Sequence, residues 1–227
     1  RRVLFRSMLP DVALLNTVFL NGLPAKVVAD TGMDVLTHSI EAYVSTNANP
    51  FSSSFAMKSI KLIFENLVAH YNDRKIQGPK ENVQFASCLA GIAFDNSSLG
   101  INHSIAHTVG AKFHIAHGRA NAIIMPYVIE VNTEANRKYF EISRELGLPS
   151  DTIEEGKYSL LSFVRILKEK LAVEKSLKDY GVDFEAFKRE IPSMLEDIKK
   201  DICTQYNPNK LTDEEYVRLL LKIYFGE

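Results

Sequence analysis

Four of the six histidines in this 227-residue chain lie between positions 103 and 117. His103 and His107 are four residues apart in an otherwise apolar stretch, and His114 and His117 follow them. Imidazoles set among apolar residues are costly to bury unless each nitrogen has a partner, and a divalent cation supplies one. The cluster therefore predicts a metal site better than it predicts four unrelated surface histidines.

Asp34 and His38 form a second pair, four residues apart in a segment with a helical pattern. This spacing puts both side chains on one helix face, about 6 Å apart along the axis, where they could bind one metal or simply hydrogen-bond to each other. Spacing alone favours a ligand set made of this pair together with His103 and His107.

His117 can share an ion with His103 only if the chain turns back between them, because a continuous helix would separate the two by about 21 Å. Gly110 and Gly118 are the places where such a break is expected. Spacing does not decide between His107 and His117 as the further ligand.

The string Asp30-Thr31-Gly32, preceded by apolar segments and a turn, resembles the motif of retroviral-type aspartic proteases. That family is a β-rich dimer, whereas the residues that follow here have helical periodicity and contain no glycine-rich flap. The match is interpreted as coincidental.

The elements that must position these residues are mostly helices. Apolar residues recur at three- and four-residue spacing from residue 56 to 68, and further helices are expected near 83–94, 133–146, 160–171, 187–198 and, after a Thr212/Glu215 capping box, 217–224. The exception is the run from Asp11 to Leu20, whose Val, Leu and Phe content predicts a strand before the Asn21-Gly22 turn. Residues 1–7 are interpreted as an expression or sequencing scar.

Composition limits the class of protein. Hydrophobic residues make up 46% and charged residues 24%, as in soluble globular proteins, and the net charge of −1 gives no basic field for nucleic acid or an anionic membrane. No apolar run approaches the roughly 20 residues of a membrane helix. Two cysteines, Cys88 and Cys203, fit a reducing, cytoplasmic location.

Two segments together resemble the iron-containing, or group III, alcohol dehydrogenases. The first is PAKVVADTGMDVLTHSIEAYVS, and the second is ASCLAGIAFDNSSLGINHSIAHTVGAKFHIAHGRANAIIMPYVIEVN. The resemblance extends from Leu9 to the end, including Cys203-Thr204 and Asn207-Pro208, and is closest to propanol and ethanol dehydrogenases and to the alcohol dehydrogenase part of bifunctional aldehyde–alcohol dehydrogenases. Two departures are Asn16, where an acidic residue is usual, and Ala116, where a proline is usual.

The resemblance implies that the metal ligands are Asp34, His38, His103 and His117, binding Fe²⁺ or Zn²⁺. His107 would be the catalytic histidine beside the nicotinamide of NAD(H), and therefore also the cofactor-binding residue. Glu41 is expected to be structural, and His114 to be either an outer contact of the site or a surface residue. Phe94 and Phe113 could line a small apolar substrate pocket, although aromatic residues at such positions more often belong to the core.

The fold implied is mostly α: a helical metal-binding domain over residues 29–227, preceded over residues 8–28 by a short β or loop segment between domains. In this family an α/β dinucleotide-binding half comes first, and its glycine-rich pyrophosphate loop is missing from the sequence. The chain is thus expected to be a fragment, with little activity alone, of a homo-oligomeric enzyme that interconverts a small alcohol and its aldehyde. It is expected to bind neither nucleic acid nor membrane.

Two other classes stay open from the residues. A metal-dependent hydrolase with a helical His/Asp site needs no dinucleotide half, although the His-Asp dipeptide typical of such phosphohydrolases is absent. A non-catalytic helical remnant that only oligomerises is the third.

Overall fold

The computed structural model describes residues 12–226, which form α-helices and short 3-10 turns and contain no β-strand. Residues 1–7, interpreted above as a scar, lie outside the described residues. The α-helices of the described part are α1 (Ala25–Val44), α2 (Pro50–Asn72), α3 (Gln77–Ser97), α4 (Ile101–Phe113), α5 (His117–Val131), α6 (Asn136–Glu145), α7 (Ile153–Lys170), α8 (Leu177–Tyr180), α9 (Phe184–Lys200) and α10 (Asp213–Phe225). The mostly α fold expected from the periodicity is confirmed.

The strand expected from Asp11 to Leu20 is wrong for the described residues 12–20. Thr17–Leu20 is a 3-10 turn, because the Asn16 side chain accepts a hydrogen bond from the Val18 amide and caps it. A strand needs a partner strand for its backbone groups, and residues 12–226 provide none. The first helix begins at Ala25, immediately after Pro24, and not near residue 29. The division of the chain at residue 28 stays a prediction.

Helix α1 is the central element, packed against α2, α3 and α5. Its apolar residues are buried on several faces, as expected of a helix surrounded by others (Val28, Ala29, Met33, Leu36, Ile40 and Val44). A Cβ placed on Gly32 would lie 2.2 Å from Leu67 Cδ1, so a side chain at position 32 would displace the buried Leu67 side chain of α2. The Asp-Thr-Gly string is therefore part of a buried helix, in agreement with the rejection of the protease motif.

The small-residue helix expected near 83–94 lies within α3, where Ala86, Ala90 and Ala93 are buried. Two serines join this helix to its neighbours: Ser39 donates to Ser59 Oγ at 2.8 Å, and Ser59 donates to the Ala86 carbonyl at 2.8 Å. These hydrogen bonds satisfy hydroxyl groups that are completely buried, and so they fix how α1, α2 and α3 face one another.

The C-terminal helices close the other side of the core. The Thr212/Glu215 capping box at the start of α10 is confirmed, since each residue bonds the other's backbone amide. Between α9 and α10 the chain forms a 3-10 turn, Ile202–Tyr206, that returns to contact α4. This return places Asp201 and Asn207 beside the histidine-bearing helix.

Candidate metal centre

Four side chains from three helices converge at one point. Asp34 and His38 come from the middle of α1, His103 from the first turn of α4, and His117 is the first residue of α5. One ligand atom from each lies within 4.8 Å of the others. His117 Nε2 is 3.4 Å and His103 Nε2 is 3.9 Å from Asp34 Oδ1. One carboxylate and three imidazoles at this spacing can surround one divalent ion.

The turn between α4 and α5 brings His117 back to His103. The break falls at His114, which adopts the left-handed conformation at φ 54°, and neither at Gly110 nor at Gly118. The Gly110 carbonyl accepts the amides of both His114 and Ile115, which closes the helix end. The expectation that the glycines break the helix is therefore wrong: the chain reverses at His114, whose side chain is exposed.

His103 is oriented by Glu41, one turn beyond His38 on α1. Glu41 Oε2 lies 2.6 Å from His103 Nδ1, and its two oxygens also accept the amides of Asn102 (2.7 Å) and His103 (3.3 Å). A Cβ on Gly100 would lie 2.7 Å from Glu41 Oε1, so the carboxylate fits only beside a glycine. Glu41 thus orients the His103 ring in addition to the structural role expected of it. Its place three residues after His38, on the same helix face, is the sequence feature that could have indicated this contact.

His103 supplies the test of whether a metal fits. With Nδ1 facing Glu41, its Nε2 points towards Asp34, is fully buried and has no hydrogen-bond partner. A buried imidazole acceptor without a partner is unfavourable, and a cation coordinated there removes the cost. The carboxylate–histidine arrangement is also the one usually found behind metal-bound imidazoles. The donor set therefore fits a divalent metal.

Burial keeps two of these imidazoles in the neutral form that binds metals. It lowers the pKa of His38 to about 4, assisted by the neighbouring His103, and it lowers the pKa of His103 to about 3. Burial likewise raises the pKa of Glu41 to about 7, against the opposing effect of the backbone amides that it accepts. Neutral histidines at pH 7 leave their lone pairs available.

Two further side chains contact this four-residue group. The Asn121 amide donates to Asp34 Oδ1 at 2.6 Å and lies 3.1 Å from His117 Nε2, while its oxygen accepts from Asn102 at 2.8 Å. Phe94 stacks on the His38 ring, with the ring centroids 4.7 Å apart. Phe94 thus lies beside this group, whereas Phe113 packs beside Phe187, with ring centroids 5.9 Å apart. That either residue lines a substrate pocket stays a prediction.

His107 lies one turn after His103 but outside the four-residue group. Its Nδ1 is 2.8 Å from Asp201 Oδ2, and its ring stacks on His117 with the centroids 5.3 Å apart. The hydrogen bond to Asp201 raises the pKa of His107 although burial opposes it. Asp201 was not anticipated; its position just before Cys203-Thr204, a motif already noted, was the only signal.

Comparison with known proteins assigns this helical domain to a family. The family described as "Fe-containing alcohol dehydrogenase family, C-terminal" matches residues 28–224. The chain belongs to the iron-containing alcohol dehydrogenase family.

Among curated relatives, the chain is 40% identical over 221 residues to the NADPH-dependent butanol dehydrogenase of Clostridium saccharobutylicum, covering 97% of this chain and 56% of that protein. It is 35% identical over 239 residues to the bifunctional aldehyde-alcohol dehydrogenase of Escherichia coli (strain K12), covering 97% of this chain and 27% of that protein. The chain thus spans about half the length of the first relative and less of the second.

Solved structures show the same fold. A 1,3-propanediol oxidoreductase superimposes with a TM-score of 0.90 at 31% identity, covering 95% of this chain and 56% of that one. The iron-containing alcohol dehydrogenase of Thermococcus thioreducens gives a TM-score of 0.87 at 36% identity, covering 96% and 56%. No helix described between residues 12 and 226 is both long and apolar enough to span a membrane.

Proposed function

We propose that this chain forms the metal-binding part of an NAD(P)-linked alcohol dehydrogenase that interconverts a small primary alcohol and its aldehyde. The observation that carries the proposal is the buried His103 Nε2, which lacks a protein partner and faces three other metal-binding side chains. Family membership favours a dehydrogenase over the hydrolase considered above, and a preformed ligand group argues against a remnant without chemistry.

The proposed ligands are Asp34, His38, His103 and His117. A divalent ion held by them, Fe²⁺ or Zn²⁺, supplies Lewis-acid chemistry when bound. The other contacts keep the ligands in place: Glu41 fixes the His103 ring, and Asn121 fixes the Asp34 carboxylate. The contact from Glu41 sets the orientation of the His103 ring and increases its basicity.

His107 is proposed as the proton-handling residue, and also as the histidine next to the nicotinamide. Because Asp201 accepts the Nδ1 proton, the proton that His107 exchanges is the one at Nε2. The side chain is 44% exposed, so solvent can reach it, and it lies against His117. An α/β domain that binds the dinucleotide belongs to this proposal, as do a homo-oligomeric assembly and a cytoplasmic location. Cys88 and Cys203 form no disulfide with each other, which fits a reducing compartment.

Elemental mass spectrometry of protein purified without oxygen or added metal tests the ligand set. We expect about one iron or zinc per chain, as for a preformed four-ligand site. His103→Ala should abolish metal retention. His107→Ala should retain the metal but lose turnover when measured together with the dinucleotide-binding domain.

The matched control is His114→Ala, which removes an exposed imidazole between α4 and α5 and should change neither metal retention nor turnover. Equal loss of metal in His103→Ala and His107→Ala would overturn the ligand assignment. Full turnover in His107→Ala would remove the proton-handling role while leaving the metal site intact.

A further inference from the structure

The start of α5 is pressed against the middle of α1 at one point. A Cβ built on Gly118 would lie 2.2 Å from the Asp30 carbonyl oxygen and 3.2 Å from Asp34 Cβ. The two helix backbones can touch here only because position 118 has no side chain. The contact lies directly beside His117 on one helix and one turn from Asp34 on the other, so it sets the distance between these two proposed ligands.

An arginine locks this contact. Arg119 is buried, with 2% of its surface exposed, and its Nε lies 2.6 Å from Asp30 Oδ1. The two groups carry opposite charges and form an ion pair. Nη1 also donates to the Ala172 carbonyl at 3.0 Å and to Glu174 Oε2 at 2.9 Å. One guanidinium thus ties α5 to α1 and to the segment after α7.

Helix formation alone does not account for this arginine. A positive charge in the first turn of a helix opposes the helix dipole, and a guanidinium is costly to bury unless it is paired. The carboxylates of Asp30 and Glu174 offset both costs, at the expense of burying Asp30 too. Burial raises the pKa of Asp30, although Arg119 beside it acts in the opposite direction. Burying the Arg119–Asp30 pair is thus costly, and the pair is located next to the proposed ligands.

His117 has few other restraints. Its side chain is 43% exposed, and Ala116 before it makes no side-chain cap to the helix. Its polar contacts are with Asn121 and Asp34, themselves parts of the site. Apart from these contacts and the His107 ring that stacks on it, the position of the His117 ring depends on the backbone of the first turn of α5.

We propose that Arg119 and Asp30 are positioning residues that hold His117 at coordinating distance from Asp34. This inference rests on the proposed ligand set. Neither residue touches the ion or the substrate; both act through the backbone of α5.

Arg119→Lys is the variant to test, because lysine keeps the charge but cannot reach Asp30, Ala172 and Glu174 at the same time. The Co²⁺ dissociation constant, measured by competition with a chelator, should rise about 10- to 100-fold, the usual effect of losing an outer contact. The Co²⁺ absorption spectrum should shift as His117 moves. Arg165→Lys is the matched control: Arg165 pairs with Glu130 at a half-exposed position, and its loss should change the constant less than about twofold.

A second substitution separates positioning from general stability. Ala116 has φ −55°, which is close to the angle that proline imposes. Adding Ala116→Pro to Arg119→Lys should stiffen the same turn and recover about two- to fivefold of the lost affinity, with a smaller gain in the parent chain. No recovery would mean that Arg119 does not act through the first turn of α5, and would overturn the proposal.

Hydrogen exchange on the metal-free chain gives a readout that does not depend on metal binding. Peptides covering residues 117–122 should exchange at least about tenfold faster in Arg119→Lys, return towards the parent rate with Ala116→Pro, and stay unchanged in Arg165→Lys. If the parent chain fails to bind Co²⁺, the proposed ligand set is wrong. Hydrogen exchange still tests whether Arg119 restrains the first turn of α5. An unchanged exchange rate in Arg119→Lys would overturn the proposed positioning role of Arg119, whatever the result for metal binding.

Discussion

Two groups of polar side chains that are wholly or partly buried differ in how their polar atoms are satisfied. The ligand group, Asp34, His38, His103 and His117, leaves His103 Nε2 without a partner. The carbonyl-bound lysines, Lys138, Lys157 and Lys168, each donate to backbone carbonyls at 2.9 to 3.4 Å. Burial lowers the pKa of all three lysines, just as it lowers that of His38 and His103.

The difference shows what marks a binding site. A lowered pKa accompanies burial in both groups and does not distinguish them. A buried acceptor that lacks a hydrogen-bond partner and faces other metal-binding atoms does distinguish them, because a folded protein otherwise pairs its buried polar groups. We therefore expect substitutions in the ligand group to change metal affinity and substitutions of the carbonyl-bound lysines to change stability. Each should have little effect on the other property.

The largest effect is expected from Glu41→Gln. Both Glu41 oxygens accept N–H groups, and a glutamine would present its own NH₂ to one of them, so the His103 ring would be displaced. Zn²⁺ affinity, measured by chelator competition, should fall about 10- to 100-fold. Glu145→Gln, at the exposed ion pair with Lys61, is the control and should have no effect. An affinity within twofold of the parent would show that the ligand group does not depend on Glu41.

Lys168→Met should change how stability depends on pH. Burial lowers the pKa of Lys168 to about 7, whereas an unfolded lysine titrates near 10.4. Between these values the unfolded chain binds a proton that the folded chain does not, so the parent gains stability relative to the variant as pH rises. The gain should be about 1.5 kcal/mol between about pH 7 and 8.5.

Urea unfolding of both proteins across this range measures the effect, with Lys170→Met as the control because Lys170 is exposed. Zn²⁺ affinity should stay that of the parent. If stability changes with pH in the same way in the parent and in Lys168→Met, the lowered pKa of Lys168 is contradicted.

The smallest effect is expected from Lys138→Met. Lys138 donates to the Tyr43 and Ser45 carbonyls at the end of α1, the helix that carries Asp34 and His38. Losing these bonds at a half-buried site should reduce the free energy of unfolding by about 1 kcal/mol, measured by urea denaturation. Metal affinity should not change. A tenfold loss of affinity would break the separation between the two groups, since a carbonyl-bound lysine would then support the site.

Local periodicity predicted most of the helices because each depends on residues three and four positions apart. The same rule predicted that Asp34 and His38 share a face, and the capping box at Thr212 is equally local. The strand at residues 11–20 failed because its apolar content gave no information on whether a partner strand exists. The break at His114 was missed because a non-glycine residue adopts the left-handed conformation there.

The parts of the site that the sequence did not reveal are pairs distant along the chain. Glu41 meets His103, and Asp201 meets His107, across separations of 62 and 94 residues. Spacing left His107 and His117 as alternatives, and the fold brings His117 into the group because α5 reverses direction after α4. Such pairings come from helix packing, for which one sequence carries no direct signal.

The start of α4 also depends on the far end of the chain, which bears on when the site can form during synthesis. Asn207 Oδ1 accepts the Ile101 amide across 106 positions and binds Asn132 as well. A ribosome adding about 5 to 20 residues per second makes this partner roughly 5 to 20 s after Ile101. Until then the helix that carries His103 lacks one of its anchors, so we expect the group of Asp34, His38, His103 and His117 to assemble only after residue 207 has been made.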